Sequence, residues 1–232
     1  MLKKATGIVI LALALLFSLV GNAFGSGFAD LEGHWAAGEI DKWVEQGLVT
    51  GYEDGTFKPD RQVTRAEFVA LINRAFKASK EVSDSPFTDV KPGSWYYQDV
   101  AAAAAAGYIT GYPDGSFGPE RSITRQEAAA VLVKLLKLTP ADGIDNFKDA
   151  GQIDAWAAGY VGAVVQNGLM MGMPDQTFQP QKSISRAEAV VSLNRALEAK
   201  AMPQESGMAG KVTYNNEAVS NAVIKVYRAG DY

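Results

Sequence analysis

The chain has no cysteine and a single histidine, His34, among its 232 residues. Without thiols there is neither a disulfide framework nor a thiolate metal site, and one imidazole cannot build a histidine-rich metal centre or a Ser-His-Asp arrangement. No catalytic residue, metal or cofactor is therefore expected. His34 stands in only one of the repeated units described below and reads as a surface or helix-entry residue. Positive charge is also short, with 22 Lys and Arg against 26 Asp and Glu. Setting aside Lys3 and Lys4 leaves 20 basic and 26 acidic side chains, a net charge of −6. A nucleic-acid partner calls for a basic domain, so none is expected, and any anion has to be met by a local pocket. One long apolar run stands out, the 13 residues from Ile8 to Val20, interrupted only by Ser18. A membrane-spanning helix needs about 20. With Lys3 and Lys4 ahead and Ala23-x-Gly25 behind, residues 1–25 read as a Sec signal peptide cut after Gly25; an uncleaved anchor is the rival reading. Either way the remainder is exported, with no membrane contact once the signal is removed.

What the chain does have is a repeat, and a fixed period decides the architecture before any local pattern does. Phe28, Phe87 and Phe147 lie 59 and 60 residues apart, and Gly51, Gly111 and Gly172 lie 60 and 61 apart. The units span 28–77, 87–138 and 147–199. Each opens on Phe-x-Asp and leads to a helix with a Trp near its start (Trp35, Trp95, Trp156), which stops at a Gly (Gly47, Gly107, Gly168) suited to the left-handed conformation that follows a helix. A tight turn with Asp-Gly chemistry comes next, EDGTF in unit one and PDGSF in unit two. Phe57, Phe117 and Phe178, then Pro59, Pro119 and Pro180, bring the chain to a second helix. Its apolar positions have helical spacing: Phe68, Leu71, Ile72 and Ala75 in unit one; Val131, Leu132, Leu135 and Leu136 in unit two. A unit of about 50 residues hides only part of its apolar surface, so three should pack around a shared centre. The run Ala101–Ala106, flanked by Tyr96, Tyr97 and Tyr108, reads as a closely packed helix.

The second helices share a start: VTRAE at 63–67, ITRQE at 123–127 and ISRAE at 184–188. Thr64, Thr124 and Ser185 each precede a Glu (Glu67, Glu127, Glu188) by three residues, which is a capping box. Between them Arg65, Arg125 and Arg186 occupy the first helical position, where the helix dipole disfavours a cation by about 0.3–1 kcal/mol. Two readings offset that cost. A helix N-terminus plus a planar guanidinium suits a carboxylate or phosphate ligand; alternatively each Arg lies over an aromatic ring and pairs with a nearby Asp or Glu. Asp30, Asp89 and Asp149 read as turn or cap residues, with ligand contact as the alternative. Unit three departs from the others: Gln176 stands where they have Gly55 and Gly115, and Met173 replaces Tyr52 and Tyr112, so the sites should be unequal. After the third unit, 200–209 reads as a linker. Residues 210–232 alternate around Asn215-Asn216 as an incomplete β segment, the start of a β domain.

Phe-x-Asp, Trp, Gly-Tyr-x-Asp-Gly-x-Phe-x-Pro and Ile/Val-Thr-Arg-x-Glu in that order, three times over about residues 28–197, closely resemble the S-layer homology (SLH) domain. The resemblance implies a mainly α fold, three helix-loop-helix repeats in a pseudo-threefold assembly around a central helical bundle. It implies a secreted protein of the cell wall or cell surface, and a non-catalytic anchoring module. Its ligand would be an acidic secondary cell-wall polysaccharide, often carrying pyruvylated N-acetylmannosamine, bound in grooves between repeats. It assigns Arg65, Arg125 and Arg186 to the acidic group. Gly51, Gly111 and Gly172 map onto a loop glycine whose missing side chain lets a sugar approach the backbone. Trp35, Trp95 and Trp156 suit stacking on a pyranose, with core packing as the alternative. Gln126 stands where Ala is usual and Ser185 where Thr is, and Gln176 puts the third groove in doubt. Replacing Arg65 and Arg125 by Ala is expected to abolish wall binding and leave unfolding nearly unchanged. Self-assembly through a region beyond Tyr232 is a further expectation. A glycosidase needs two carboxylates about 5–9.5 Å apart, and the repeated acids here already serve caps and turns. Calcium loops lack the EF-hand run of acids before Asp54-Gly55 and Asp114-Gly115. A purely structural lattice protein overlaps with the anchoring reading.

Overall fold

Among the described residues each unit contributes two α-helices: a first one that stops at a positive-φ glycine (Gly47, Gly107, Gly168) and a second one that starts on a hydroxyl cap. The computed structural model describes residues 27–78, 82, 84–201, 213–214 and 217–218. The first helices of the units are α1 (Ala37–Glu45), α3 (Tyr97–Ala105) and α5 (Ala158–Gln166), and the second helices are α2 (Arg65–Phe76), α4 (Arg125–Leu136) and α6 (Arg186–Ala201). All three capping boxes form. Glu67 N–H donates to Thr64 Oγ1 (3.2 Å) while Glu67 Oε2 accepts from Thr64 N–H (2.8 Å). The same pair of bonds joins Thr124 to Glu127 and Ser185 to Glu188, so both orphan donors at each helix start are satisfied. The three tryptophans lie just ahead of the first helices, in the turns that enter them, rather than inside them. His34 is also an entry residue, its Nδ1 accepting from Ala36 N–H at 3.2 Å.

The units close into a ring. Val63 N–H donates to Ile184 O (3.2 Å), Ile184 N–H to Ile123 O (3.0 Å) and Ile123 N–H to Val63 O (3.1 Å), a three-membered backbone cycle on the axis with all three side chains buried. Around it, the first two free N–H groups of each second helix reach the loop of the next unit. Arg65 and Ala66 donate to Arg121 O and Pro119 O, Arg125 and Gln126 to Lys182 O and Pro180 O, and Arg186 and Ala187 to Arg61 O and Pro59 O. Neighbouring chain thus provides what each helix end lacks. The first helices pack across the seams: α3 lies on α2, α5 on α4, and α1 on α6. The alanine-rich face of α3 allows a close approach in which Asn73 Nδ2 donates to Asp99 O (3.0 Å) and Asp99 Oδ1 (2.8 Å). On the closing seam the corresponding bond runs from Trp43 Nε1 to Asn194 Oδ1 at 3.1 Å. Trp43, Phe57, Phe117, Phe178, Leu132 and Leu193 are all fully buried in one continuous core.

Phe-x-Asp locks the turn to the body of its own unit. Asp30 accepts from Phe57 and Lys58 N–H, Asp89 from Phe117 and Gly118 N–H, and Asp149 from Phe178 and Gln179 N–H. Lys58, Gly118 and Gln179 are all held at positive φ by this clamp. The aspartates are thus turn residues, as one of the two readings has it. Burial opposes ionisation of Asp30, but the Phe57 and Lys58 N–H groups outweigh it and hold the carboxyl below its usual range. A depressed folded value means that this stabilisation is complete above the unfolded pKa near 4 and is lost as pH falls through the folded value. Acid titration of stability should therefore start below about pH 4, and Asp30→Asn should flatten it. Asp149→Ala is expected to cost about 3 kcal/mol in urea unfolding, because a buried and a part-buried N–H group lose a charged acceptor.

Gln176 keeps the turn that Gly55 and Gly115 make, at φ +68° against +77° and +80°. Met173 N–H donates to Thr177 O (2.7 Å) and Gln176 N–H to Met173 O (2.9 Å), matching the bonds of the other two turns. The backbone of the third unit's loop is therefore intact, and only its side chains differ. Beyond the third unit, Thr213–Tyr214 (β1) pairs antiparallel with Glu217–Ala218 (β2). No β domain is seen among the described residues; the rest of 210–232, the greater part of the linker and the signal segment lie outside them. None of the described helices is long and apolar enough to cross a membrane.

Candidate functional site

Each first-position arginine leaves its own helix and crosses the seam. Arg65 Nε donates to Phe117 O (2.7 Å) and a terminal nitrogen to Thr110 O (3.3 Å); Arg125 Nε donates to Phe178 O (2.8 Å) and a terminal nitrogen to Met171 O (2.8 Å). Arg186 makes the same bonds to Phe57 O (3.0 Å) and Thr50 O (2.6 Å). Phe117, Phe178 and Phe57 lie face-on beneath the three guanidinium groups at 4.6, 4.8 and 4.4 Å. Arg65 and Arg125 are only 6% and 3% exposed. Of the two readings of this position, the internal one describes these contacts: each Arg lies on an aromatic ring and ties one unit to the next. The dipole cost is offset because the charge is carried away from the helix axis and onto carbonyl oxygens.

The capping glutamates turn out to have two faces. Oε2 of Glu127 and Glu188 caps its own helix, while Oε1 receives the arginine of the preceding unit, Arg65 at 3.3 Å and Arg125 at 2.9 Å. Tyr112 Oη also donates to Glu127 Oε1 at 2.8 Å. In the closing seam Glu67 Oε1 is taken instead by Arg61. Burial lowers the pKa of Arg125, with Glu188 acting against it, and burial likewise lowers that of Arg186.

Beside these arginines two cavities open to solvent. One, of about 420 Å³, is lined by Arg65 from unit one, Gly111, Tyr112, Glu127 and Lys134 from unit two, and Trp156 from unit three. The other, of about 550 Å³, combines Arg125 from unit two, Gly172, Met173, Glu188 and Arg195 from unit three, and Trp35 from unit one. Each site is therefore a three-unit corner rather than a groove between two neighbours. Trp35, Trp95 and Trp156 are 61%, 60% and 52% exposed, so core packing does not account for them. The cavities differ as unit three's departures lead one to expect. Tyr112 covers Arg65 at 4.8 Å, while Met173 replaces it at Arg125, and Met171 stands 60% exposed alongside.

Gly51, Gly111 and Gly172 line these loops for an internal reason. A Cβ on any of them would come under 3.0 Å from the ring of its own unit's Phe28, Phe87 or Phe147. At Gly111 it would also meet Ser116 O at 2.5 Å. Gly111→Ala should therefore cost about 2 kcal/mol of stability by overpacking, read as a fall in urea midpoint, whatever it does to a ligand.

The tenth position of the second helix also contributes: Lys134 and Arg195 line the two cavities, while the corresponding Arg74 is exposed and donates to Leu48 O at 2.9 Å. Lys134 and Arg195 are half-buried cavity residues. Burial lowers Lys134 below the ordinary lysine value. Because Arg65 and Arg125 are already paired with Glu127 and Glu188, Lys134 and Arg195 are the half-buried cations left over in the two cavities, with exposed Lys182 beside Arg195 in the second. A basic residue recurring at one position of three apolar helices is the signal that sequence reasoning passed over.

The S-layer homology domain model matches residues 27–69, 86–129 and 146–190. The chain belongs to the S-layer homology domain family. Over 158 residues, 65% of the chain, it is 40% identical to a cellulosome-anchoring protein of Acetivibrio thermocellus, covering 35% of that protein. It is 36% identical over 161 residues, 64% of the chain, to cell surface glycoprotein 1 of the same organism, covering 7% of it. With an amylopullulanase of Thermoanaerobacterium thermosulfurigenes it shares 33% identity over 177 residues, 74% of the chain and 9% of the relative. The chain thus matches from under a tenth to about a third of each of these relatives. The three SLH units form a cell-surface anchoring module of an exported protein, and their ring of backbone bonds is what sets the cavities in place.

Proposed function

We propose that the SLH ring holds its protein to the cell wall by non-catalytic binding of an acidic, pyruvylated secondary cell-wall polysaccharide in the three-unit corners. The reading rests on one observation: each of these two cavities sets an exposed tryptophan opposite a half-buried cation that makes no ion pair among the described residues. An indole face suits the apolar face of a sugar ring, and a half-desolvated ammonium or guanidinium attracts a carboxylate more strongly than one in open water. Arg65, Arg125 and Arg186 form the floor of the corners and orient the loop carbonyls, while Lys134 and Arg195 meet the ketal carboxylate. Gly51, Gly111 and Gly172 shape the loop wall. Trp35, Trp95 and Trp156 stack on the glycan.

Glu127 and Glu188, the carboxylates beside the arginines, are committed to caps and cross-seam pairs, which speaks against a glycosidase. Asp54, Asp114 and Asp175, the acids of the turns, each bond the residue two ahead, Thr56, Ser116 and Thr177. That use leaves them closing turns rather than gathering around calcium. The decisive experiment is a pull-down by the purified module of native wall polymer against polymer stripped of its acidic ketals. Retention only of the native material supports the reading; equal retention of both refutes the acidic ligand, and turnover of the polymer refutes the non-catalytic role.

A further inference from the structure

We infer that Gln126 is a positioning residue: through Asp154 it fixes Trp156 and so prepares the Arg65 corner for its ligand, ahead of the other two. The inference rests on the glycan reading for its consequence, though its geometry stands without it. The second position of the second helix is Ala66 in unit one and Ala187 in unit three, and only unit two places a long polar side chain there. That side chain is 2% exposed and crosses the seam into unit three. Its Nε2 donates to Asp154 Oδ2 at 2.6 Å, and its Oε1 accepts from Asp154 N–H at 3.2 Å. Both the backbone and the carboxylate of Asp154 are thereby located. The same Oδ2 accepts the indole N–H of Trp156 at 3.2 Å. Asp154 also closes the turn ahead of α5, its carbonyl accepting from Ala157 N–H at 2.8 Å, so the turn carrying the tryptophan is held at two points.

Trp35 and Trp95 have no such bond from the indole nitrogen among the described residues; their ring contacts are with His34 and Tyr96 at 5.5 and 5.3 Å. A half-exposed indole that is free to change rotamer must be ordered when a sugar docks on it, and fixing it beforehand removes that cost. The effect is roughly fivefold in affinity for one aromatic side chain. Gln126 does not line the cavity, so it acts on the ligand only through Asp154 and the ring.

The test uses the full ring carrying Trp35→Phe and Trp95→Phe, in which Trp156 is the one quencher-accessible indole beside fully buried Trp43. Gln126→Ala, which installs the residue found in the other two units, should enlarge the fast component of Trp156 anisotropy decay in the free protein. It should also weaken binding of the methyl glycoside of 4,6-pyruvylated N-acetylmannosamine about fivefold. Asp154→Ala, at an exposed position, should do both as well, and the double variant should be no worse than either single one. Unchanged Trp156 mobility in both variants overturns the assignment, as does increased mobility with unchanged affinity. If the parent does not bind the ketal at all, the glycan reading fails, and the anisotropy alone decides whether Gln126 positions the ring.

Discussion

Arg125→Ala is expected to remove about 3–5 kcal/mol of stability, the usual cost of deleting one partner of a buried, hydrogen-bonded ion pair. Glu188 would keep its cap but lose the guanidinium at 2.9 Å, and the carbonyls of Phe178 and Met171 would face a void beside the seam. Arg65→Ala should cost somewhat less, since Tyr112 still donates to Glu127. Arg186→Ala should cost about 1–2 kcal/mol, because this half-buried group bonds two carbonyls and Glu67 is already held by Arg61. Urea unfolding of the three single variants provides the ranking Arg125, Arg65, Arg186. The expectation that these arginines can be removed without touching unfolding does not survive their burial. Loss of wall binding in an Arg65 and Arg125 double variant would therefore say nothing about ligand contact unless stability were measured alongside.

The cleaner lever on binding is the tenth-position cation. Lys134→Glu with Arg195→Glu should weaken retention of pyruvylated wall polymer at least about 100-fold, given roughly 1.5–3 kcal/mol for each charge-assisted hydrogen bond lost and the repulsion that replaces it. Lys134 makes one long bond, to Thr110 Oγ1 at 3.3 Å, and stands 5.9 Å over the Tyr160 ring, so unfolding should move by about 1 kcal/mol, well short of the Arg125 variant. The two corners can also be told apart by pH. Lys134 must be protonated to hold an anion and its pKa is already lowered by burial, so its corner weakens as pH rises through that value. The Arg195 corner has no lysine at that helical position, so its affinity should not follow the same pH dependence. Polymer retention measured across alkaline pH in Lys134→Glu and Arg195→Glu single variants checks the contrast, and unchanged retention in the double variant would dismiss these cations from the site.

The repeat, the helix starts and the turns were legible because their causes are local. A capping box needs residues three apart, and Asp54-Gly55 sets its own turn. What lay out of reach is where a side chain goes once it leaves its helix. Periodicity says that α2 buries a face, not that α3 of the following unit covers it. Nothing in VTRAE reveals that Glu67 caps with one oxygen and holds Arg61 with the other, or that Arg65 is destined for a carbonyl 52 residues away. The loop glycines stand out in the sequence, but their packing duty does not: they leave room for Phe28, Phe87 and Phe147, which come from the start of each unit. Gln126 looked like a neutral departure from alanine because its partner, Asp154, stands in the next unit.

The three-membered backbone cycle at Val63, Ile123 and Ile184 treats the seam between the last unit and the first like the two seams the chain itself bridges. The covalent order of the units is then a convenience of synthesis. A circular permutant that begins at Phe87 and returns from Ala201 to Phe28 through a short added connector would reach the same set of partners. Its unfolding should remain a single cooperative step, because no unit owns the surface that keeps it folded.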